Sequence, residues 1–392
     1  MLPKFESEER IVRFQQSMRE GGVDGSLILH PVDIYYFSGT RQNGALWVPA
    51  EGNPALFVRK SLSRAVGESL IETTIRFPSS KEFPQYLPSG VSRIGLSFDV
   101  TPHQQVLFYR KLLPGVEFVD VASTIRGLRA VKSPWEIEKL RESGRRLASV
   151  FQAIPPLIRQ GMTELELSAA IEYRLRLAGH EGYVRMRAFN QELYMGLAVS
   201  QEGTQTGFFD GAVTGRGLSP ASPHGASRAP IPENTPIVCD FSGVFDGYVT
   251  DMTRFFSIGP IDPELERGFG VSMEIQAEIA SLLKPGAVCE ELFARSLEMA
   301  TAAGLERFYM GAPGENARFV GHGVGLELDE LPILAQGFKD CLKEGNVIAV
   351  EPKFVFPGKG VVGIENTFLV TAGGGVKLTD IPDDPIVIGG KR

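Results

Sequence analysis

Residues 237–256 constrain the fold more than any other stretch, because they predict a β-hairpin that carries two acids in apolar arms. Asp246-Gly247 lies between the arms and favours a tight turn. With a turn over residues 244–247, Asp240 and Asp251 are equidistant from its centre and face each other across the ladder. Directly opposed Cβ atoms lie only ~4.5–5.5 Å apart, so two ionised carboxylates there repel each other. Such a pair indicates a shared proton or a bound cation.

A second hairpin with the same arrangement is predicted near the C-terminus. Residues 347–356 and 361–370 flank a turn over residues 357–360, and Glu351 and Glu365 are equidistant from Gly358. Both acidic pairs lie in apolar strands, so a solvated sheet face does not explain them. The alternative is two edge hairpins whose acids have no common purpose.

Composition excludes several classes of function. The 392 residues suffice for two domains, and 43% apolar and 22% charged residues are typical of a globular protein. A net charge of −7 argues against nucleic acid or an anionic membrane as a partner. We find no secretory signal and no spanning apolar run. The cysteines, at positions 239, 289 and 341, form no CxxC motif, which favours a cytoplasmic location and argues against a cysteine-based zinc site.

The chain divides into a first domain over residues 1–128 and a second over residues 129–392. Strand and helix patterns alternate in the first domain, which predicts an α/β fold; residues 33–37 are interpreted there as a strand. In the second, Ser133-Pro134-Trp135-Glu136 has the residues that open a long helix. Residues 203–236 are rich in glycine, proline and serine and predict a long functional loop, in which the pair Phe208-Phe209 belongs either to a substrate pocket or to the core.

The candidate imidazole is His322, within the irregular glycine-rich stretch 318–325. Glycines at 321, 323 and 325 let the backbone approach closely and expose the ring. The GHGVG run does not complete the dinucleotide-binding pattern G-x-G-x-x-G. A lone histidine is usually structural, but four acids elsewhere in the chain need a common centre.

These residues, in this order, resemble a known family. Asp240, Asp251, His322, Glu351 and Glu365, within DGYVTDMTR, GHGVGLELDE and EPKFVFPGKGVVGIEN, are similar to the metallopeptidases that include prolidase, aminopeptidase P and methionine aminopeptidase. The junction RGLRAVKSPWEIEKLR and the N-terminal domain resemble those of prolidases, aminopeptidases P and creatinase, so the similarity covers nearly the whole chain.

The resemblance implies an α/β (α+β) protein, with a creatinase-like N-terminal domain and a C-terminal pita-bread domain that holds two divalent metal ions. Asp251 and Glu365 would bridge the ions, Asp240 would complete one site, and His322 and Glu351 would bind the other. The ligands suit Mn²⁺, Co²⁺, Fe²⁺ or Zn²⁺. A bridging water would attack a peptide carbonyl, with Glu351 relaying the proton. The resemblance also implies a homodimer.

Four further residues are candidates around the metals or depart from the family pattern. His224 matches a family histidine that contacts substrate. Arg318 and Asp329 stand where the family carries histidines that hold substrate and stabilise the oxyanion, and Gly363 replaces an arginine. We hypothesise that Arg318 and Asp329 pair with each other as a substitute.

The leading functional prediction is therefore an Xaa-Pro dipeptidase or aminopeptidase acting on a small peptide. One alternative is a hydrolase of a small non-peptide C–N bond, as in the creatinase and ectoine-derivative hydrolase branches. The other is a metal-binding homologue that has lost activity and serves in protein interactions.

Overall fold

The computed structural model describes residues 2–187, 193–207 and 209–389. It comprises two compact units, Met1–Arg129 and Ala130–Arg392. Both mix helices and sheets, so the predicted mixed α/β class is confirmed. Among the described residues, no helix combines the length and apolar character that crossing a membrane requires.

The first unit is built on a six-stranded sheet in the order β4-β3-β2-β1-β5-β6. Its strands are β1 (Gly25–Ile28), β2 (Gly44–Pro49), β3 (Ala55–Val58), β4 (Thr73–Arg76), β5 (Arg93–Leu96) and β6 (Glu117–Asp120). Its helices are α1 (Lys4–Glu20), α2 (Pro31–Ser38), α3 (Leu62–Glu68), α4 (His103–Leu112) and α5 (Ala122–Ala130).

Helix α2 corrects the sequence interpretation, which placed a strand over residues 33–37. Pro31 takes the first helical position, and Gly39 ends the helix in the left-handed region with φ 80°. These start and stop signals outweigh the β-branched and aromatic residues between them. The unit's core forms around buried Leu27, Trp47 and Phe57.

The second unit has two larger sheets, in the orders β11-β10-β12-β15-β16 and β17-β9-β8-β7, and the separate pair β13-β14. Its helices are α6 (Pro134–Gln152), α7 (Glu164–Leu177), α8 (Pro263–Leu282) and α9 (Cys289–Ala302). Its strands are β7 (Gly196–Val199), β8 (Pro236–Phe245), β9 (Tyr248–Ile258), β10 (Phe319–Gly323), β11 (Glu330–Ala335), β12 (Val347–Val350), β13 (Lys353–Phe356), β14 (Gly360–Gly363), β15 (Asn366–Thr371), β16 (Gly374–Lys377) and β17 (Ile386–Ile388).

Capping boxes begin the first two helices of this unit. Ser133 and Glu136 form one at α6, and Thr163 and Glu166 form the other at α7, as their spacing predicts. Helix α6 packs against β8 and β9, while α8 and α9 pack against strands of the second hairpin and of the five-stranded sheet. The strands that carry the acids are therefore covered by helices.

The hairpin β8–β9 forms as predicted, but its predicted register is wrong. Asp240 pairs with Thr253, and Asp251 pairs with Ser242. The two-residue turn is Asp246-Gly247, both with positive φ, which closes the ladder on Phe245 and Tyr248. The two aspartates are consequently diagonal neighbours, two positions apart on the same face.

The second hairpin has the predicted register but is interrupted. The pairs Val350–Asn366 and Lys353–Gly363 belong to two ladders in one continuous register. Glu351 and Glu365 lie opposite each other in the gap between these ladders. This gap lets both carboxylates leave the regular sheet and turn toward the first hairpin.

His322 lies in strand β10, and the predicted irregular stretch is therefore wrong at this position. It pairs with Ala349 of β12 and with Ile333 of β11. A Cβ atom at Gly321 would lie 2.4 Å from the Ala349 carbonyl oxygen, and one at Gly323 would lie 2.4 Å from that of Leu331. The flanking glycines thus let three strands approach closely around the imidazole.

Candidate metal centre

A backbone bridge between Thr253 and Glu365 joins the two acidic hairpins. Their backbones exchange hydrogen bonds of 3.3 and 3.4 Å, and the Thr253 hydroxyl donates to Glu365 Oε2 at 2.8 Å. Strand alternation places Asp251 on the same face as Thr253. This bridge brings the carboxylates of both hairpins to one point.

That point is the floor of a cavity of about 460 Å³, a size typical of small-molecule sites. Its lining includes both polar and apolar residues. The described polar residues include Asp240, Ser242, Asp251, Arg318, His322, Asp329, Glu351, Lys353 and Glu365. Apolar lining comes from residues including Leu193, Tyr194, Leu197, Phe209, Ile333 and Phe338.

A lysine that the sequence analysis did not single out occupies the middle of the acids. The ammonium group of Lys353 lies 3.0 Å from Asp240 Oδ2, 2.6 Å from Glu351 Oε2 and 3.1 Å from Glu365 Oε2. Its side chain is 4% exposed. Three of the four candidate carboxylates therefore share one organic cation.

Three candidate ligands remain close together beside the lysine. Asp251, His322 and Glu365 each offer one ligand atom, and these atoms lie within 4.8 Å of one another. Ser242 Oγ donates to Asp251 Oδ1 at 3.1 Å, which orients that carboxylate. Glu365 Oε1 is buried and accepts no hydrogen bond from a described residue. A buried acceptor without a donor is costly, so this atom is suited to a cation.

The His322 ring is oriented by the loop that follows it. Nδ1 lies 3.0 Å from the Leu328 carbonyl oxygen and 3.3 Å from Asp329 Oδ1. Nε2 lies 3.5 Å from Glu351 Oε1. When the ring is neutral, donation from Nδ1–H to the carbonyl would leave the Nε2 lone pair on the side of the acids, which is the tautomer that a metal-binding imidazole needs.

Burial and crowding set the ionisation of the cluster. Burial and the neighbouring charge of Asp240 raise the pKa of Asp251 to about 7, and burial with Asp251 raises the pKa of Glu365 well above its usual value. Burial also acts to raise the pKa of Glu351, but Lys353 and His322 lower it to about 2. Burial and mutual repulsion therefore disfavour the charged forms of Asp251 and Glu365, and a bound cation would favour them.

Comparison with known proteins identifies the second unit. Residues 138–372 match the profile of metallopeptidase family M24, and residues 10–131 match the creatinase/prolidase N-terminal domain. The chain belongs to metallopeptidase family M24. The predicted arrangement of a creatinase-like domain followed by an M24 domain is confirmed.

Individual relatives of this M24 metallopeptidase cover almost its whole length. It is 26% identical over 374 residues to an Xaa-Pro dipeptidase of Pyrococcus furiosus, covering 95% of this chain and 98% of that protein. It is also 26% identical to a probable dipeptidase PepE of Mycobacterium tuberculosis, with 98% of each chain covered. The solved prolidase of Pyrococcus horikoshii superimposes with a TM-score of 0.80 at 25% identity, covering 96% and 99% of the two chains.

The M24 family implies divalent metal ions, and the residues present fit one such ion better than two. The orphaned Glu365 Oε1 and the close set with Asp251 and His322 match what one cation needs. Lys353 contacts Asp240, Glu351 and Glu365, which are three of the four carboxylates that the family resemblance divides between two ions.

The predicted residues around the metals do not all meet. Arg318 and Asp329 both line the cavity, but no ion pair joins them, so the hypothesis of a substitute pair is wrong; Asp329 contacts His322 instead. His224 is buried against Tyr194, with ring centroids 5.0 Å apart, and is not among the described residues lining the cavity. Of the pair Phe208-Phe209, Phe209 lines the cavity and Phe208 lies outside the described residues.

Two functional features escaped the sequence analysis although a signal for each was present. Lys353 follows Glu351 by two residues in an extended segment, which places both side chains on one face. Thr253 follows Asp251 by the same interval and reaches Glu365. Alternation alone therefore pointed to both residues, but no pattern in one strand showed what they would meet on another.

Proposed function

We propose that this protein is a metal-dependent hydrolase that cleaves the peptide bond before proline in a small peptide, as an Xaa-Pro dipeptidase or aminopeptidase. The observation that carries this proposal is the buried set of Asp251, His322 and Glu365 on the floor of a cavity large enough for a dipeptide. The likeness to Xaa-Pro dipeptidases over nearly the full length supports the substrate class.

Asp251, His322 and Glu365 would hold the divalent cation, which supplies Lewis acidity and activates water. Glu351 is the candidate proton acceptor, since its carboxylate is ionised and lines the cavity. Its hydrogen bond from Lys353 keeps it a weak base, because the same contact that ionises the acid lowers its affinity for a proton.

Arg318 and the apolar residues that line the cavity suit a proline-containing dipeptide. Arg318 lines the cavity and makes no ion pair with a described residue, so a substrate carboxylate would give it a partner. Leu197, Ile333 and Phe338 line the same cavity and suit a pyrrolidine ring. These features favour a dipeptide, whose terminal carboxylate lies beside the scissile bond, over a longer peptide.

The second candidate is hydrolysis of a small non-peptide C–N bond. It is favoured by Arg318 and Asp329, which stand where the resemblance implies histidines that serve peptide cleavage. A third outcome is a protein that binds metal but cleaves neither class of compound.

Turnover assays with three substrate classes separate these functions. The panel is Xaa-Pro dipeptides and their C-terminal amides, Xaa-Pro-Xaa tripeptides, and small amidino or acyl-diamine compounds, each with Mn²⁺ or Co²⁺ and with a chelator. We expect metal-stimulated cleavage of the dipeptides, with the amides cleaved less well because they lack the carboxylate. Cleavage of only the non-peptide compounds would replace the peptidase proposal, and no cleavage of any compound would favour the inactive homologue. A cytoplasmic location, a homodimer and the identity of the metal (Mn, Co, Zn or Fe) remain predictions.

A further inference from the structure

We infer that the ammonium group of Lys353 takes the place of one of the two metal ions, so that this centre binds a single divalent cation through Asp251, His322 and Glu365. The inference rests on the proposed function in one respect, namely that the cluster binds a divalent cation. It changes the expected cofactor from a pair of ions to one ion beside a fixed organic charge.

The contacts of Lys353 are those of a cation at the centre of a binding site. Its nitrogen lies within 3.1 Å of one oxygen from each of Asp240, Glu351 and Glu365, so three carboxylates from both hairpins converge on it. A surface lysine normally pairs with one or two acids and keeps its nitrogen in water. Here the three donors of an ammonium group meet three separate acceptors in the interior.

Charge balance also favours one metal ion. Two dications would balance the four carboxylates Asp240, Asp251, Glu351 and Glu365 without any lysine. A buried ammonium added to two dications leaves one excess positive charge among these groups, which is unfavourable in a buried cluster. One dication with the ammonium leaves a single negative charge, which Arg318 or a protonated group on a substrate can offset.

Position 363 faces the lysine across the ladder. Gly363 lies directly opposite Lys353 in the β13–β14 pair, and a Cβ atom there would lie 2.7 Å from both Lys353 Cγ and the Pro352 carbonyl oxygen. The glycine therefore permits a close approach of the Pro352 backbone as well as of the lysine stem. The family resemblance implies an arginine at this position, and this approach leaves no room for one.

The carboxylate oxygens that Lys353 does not contact include one that lacks a described donor. Glu365 uses Oε2 to accept from Lys353 and Thr253, and its buried Oε1 accepts from no described residue. Asp251 contacts Ser242 and not the lysine. The unpartnered carboxylate oxygen and the ligand set around it place the remaining cation site on the side of His322.

Metal stoichiometry of the full chain tests this inference. The protein is stripped with chelator, titrated with Mn²⁺ by calorimetry, and examined by electron paramagnetic resonance. We expect one tightly bound equivalent and the six-line spectrum of isolated Mn²⁺. Two equivalents with an exchange-coupled spectrum would overturn the inference and leave the proposed hydrolase intact. No bound Mn²⁺, Co²⁺ or Zn²⁺ would overturn the metal-dependent function and this inference with it.

Substitution of the lysine gives an independent readout. Lys353→Ala removes the charge and clears the position, and we expect the stoichiometry to rise from one ion to two, with the coupled spectrum appearing. The control is Lys359→Ala, which removes an exposed lysine from the turn of the same hairpin and should leave one ion. If Lys353→Ala folds, as judged by circular dichroism, and still binds one ion, the ammonium does not replace a metal. If it fails to fold, the stoichiometry of the unsubstituted protein decides.

Discussion

The second unit buries a carboxylate and an imidazole at opposite ends of helix α7 and also buries carboxylates and an imidazole in the cavity, and the two sets are stabilised differently. At the ends of helix α7, Glu164 accepts hydrogen bonds from the Ser200 and Ser227 amides at 2.7 and 3.1 Å and from the Ser227 hydroxyl at 2.6 Å. His180 accepts from the Gly182 amide at Nδ1, and its Nε2 lies 3.1 Å from the Ser242 carbonyl oxygen. Neutral backbone groups and hydroxyls thus satisfy this pair.

In the cavity the equivalent groups, Glu365 and His322, depend on charges and are incompletely satisfied. Glu365 has one oxygen without a donor, and His322 lies between the carboxylates of Asp329 and Glu351. Burial lowers the pKa of His180 to about 4. Burial also acts to lower the pKa of His322, but the two neighbouring carboxylates outweigh it and raise that pKa well above the usual value. Burial is common to both places, so burial alone does not mark a ligand site. Incomplete pairing among charged groups does.

The largest effect that would sharpen this contrast is expected from Asp251→Asn. The substitution removes a negative ligand from the cavity while keeping its shape, so we expect metal affinity to fall at least ~100-fold and metal-dependent turnover to fall with it. Isothermal titration with Mn²⁺ measures the affinity. Asp246→Asn is the matched control, because Asp246 lies in the turn of the same hairpin and pairs with Lys139 at the surface. An affinity unchanged by Asp251→Asn would show that Asp251, His322 and Glu365 do not form the metal site.

Much of the cavity's framework was predictable because it follows from local rules. Period-two alternation and turn chemistry place Glu351 opposite Glu365, and the structure has that register. The same rules place Asp240 and Asp251 on one face; only the choice of turn residues was wrong, and the positive φ favoured at Asp246-Gly247 would have corrected it.

What could not be predicted depends on contacts between elements far apart in the chain. The bridge from Thr253 to Glu365 is one of the contacts that join the two hairpins, and the position of Asp329 beside His322 depends on how the loop after β10 folds. For Lys353, the spacing to Glu351 predicts on which face of the strand the side chain lies. It does not predict the three partners, because they come from two hairpins. Sequence periodicity gives the direction of a side chain and not what lies in that direction.

A second test uses pH to distinguish His180, which has neutral partners, from His322, which has charged partners. The folded pKa of His180 is about 4 and its unfolded value is about 6.5, so the unfolded state binds more protons between these values. The contribution of neutral His180 to stability is therefore present above its unfolded pKa and is lost as pH falls toward 4. We expect this loss to reduce the unfolding free energy by about 2 kcal/mol between pH 7 and pH 5.

Urea unfolding of the chelated protein and of His180→Gln at both pH values isolates this contribution. Glutamine offers a neutral donor toward Ser242 and does not titrate. The unfolding free energy of the variant should therefore fall about 2 kcal/mol less between pH 7 and pH 5 than that of the unsubstituted protein. Parallel pH dependences in the two proteins would mean that His180 is protonated as readily folded as unfolded. The two buried histidines would then not differ in the way the comparison requires.

The smallest expected effect comes from Glu164→Gln, which asks whether the helix-end carboxylate is purely structural. Each oxygen of Glu164 faces a donor, so an amide NH₂ must be placed against an N–H or O–H group, at a cost of about 1–2 kcal/mol in unfolding free energy. Glu166→Gln on the same helix is the control, because glutamine can still accept from the Thr163 amide in the capping box. Mn²⁺ affinity should stay within about twofold in both variants, since neither carboxylate faces the cavity. A substantial loss of affinity in Glu164→Gln alone would show that the two buried sites are coupled, and the division between a structural and a ligand-binding acid would have to be abandoned.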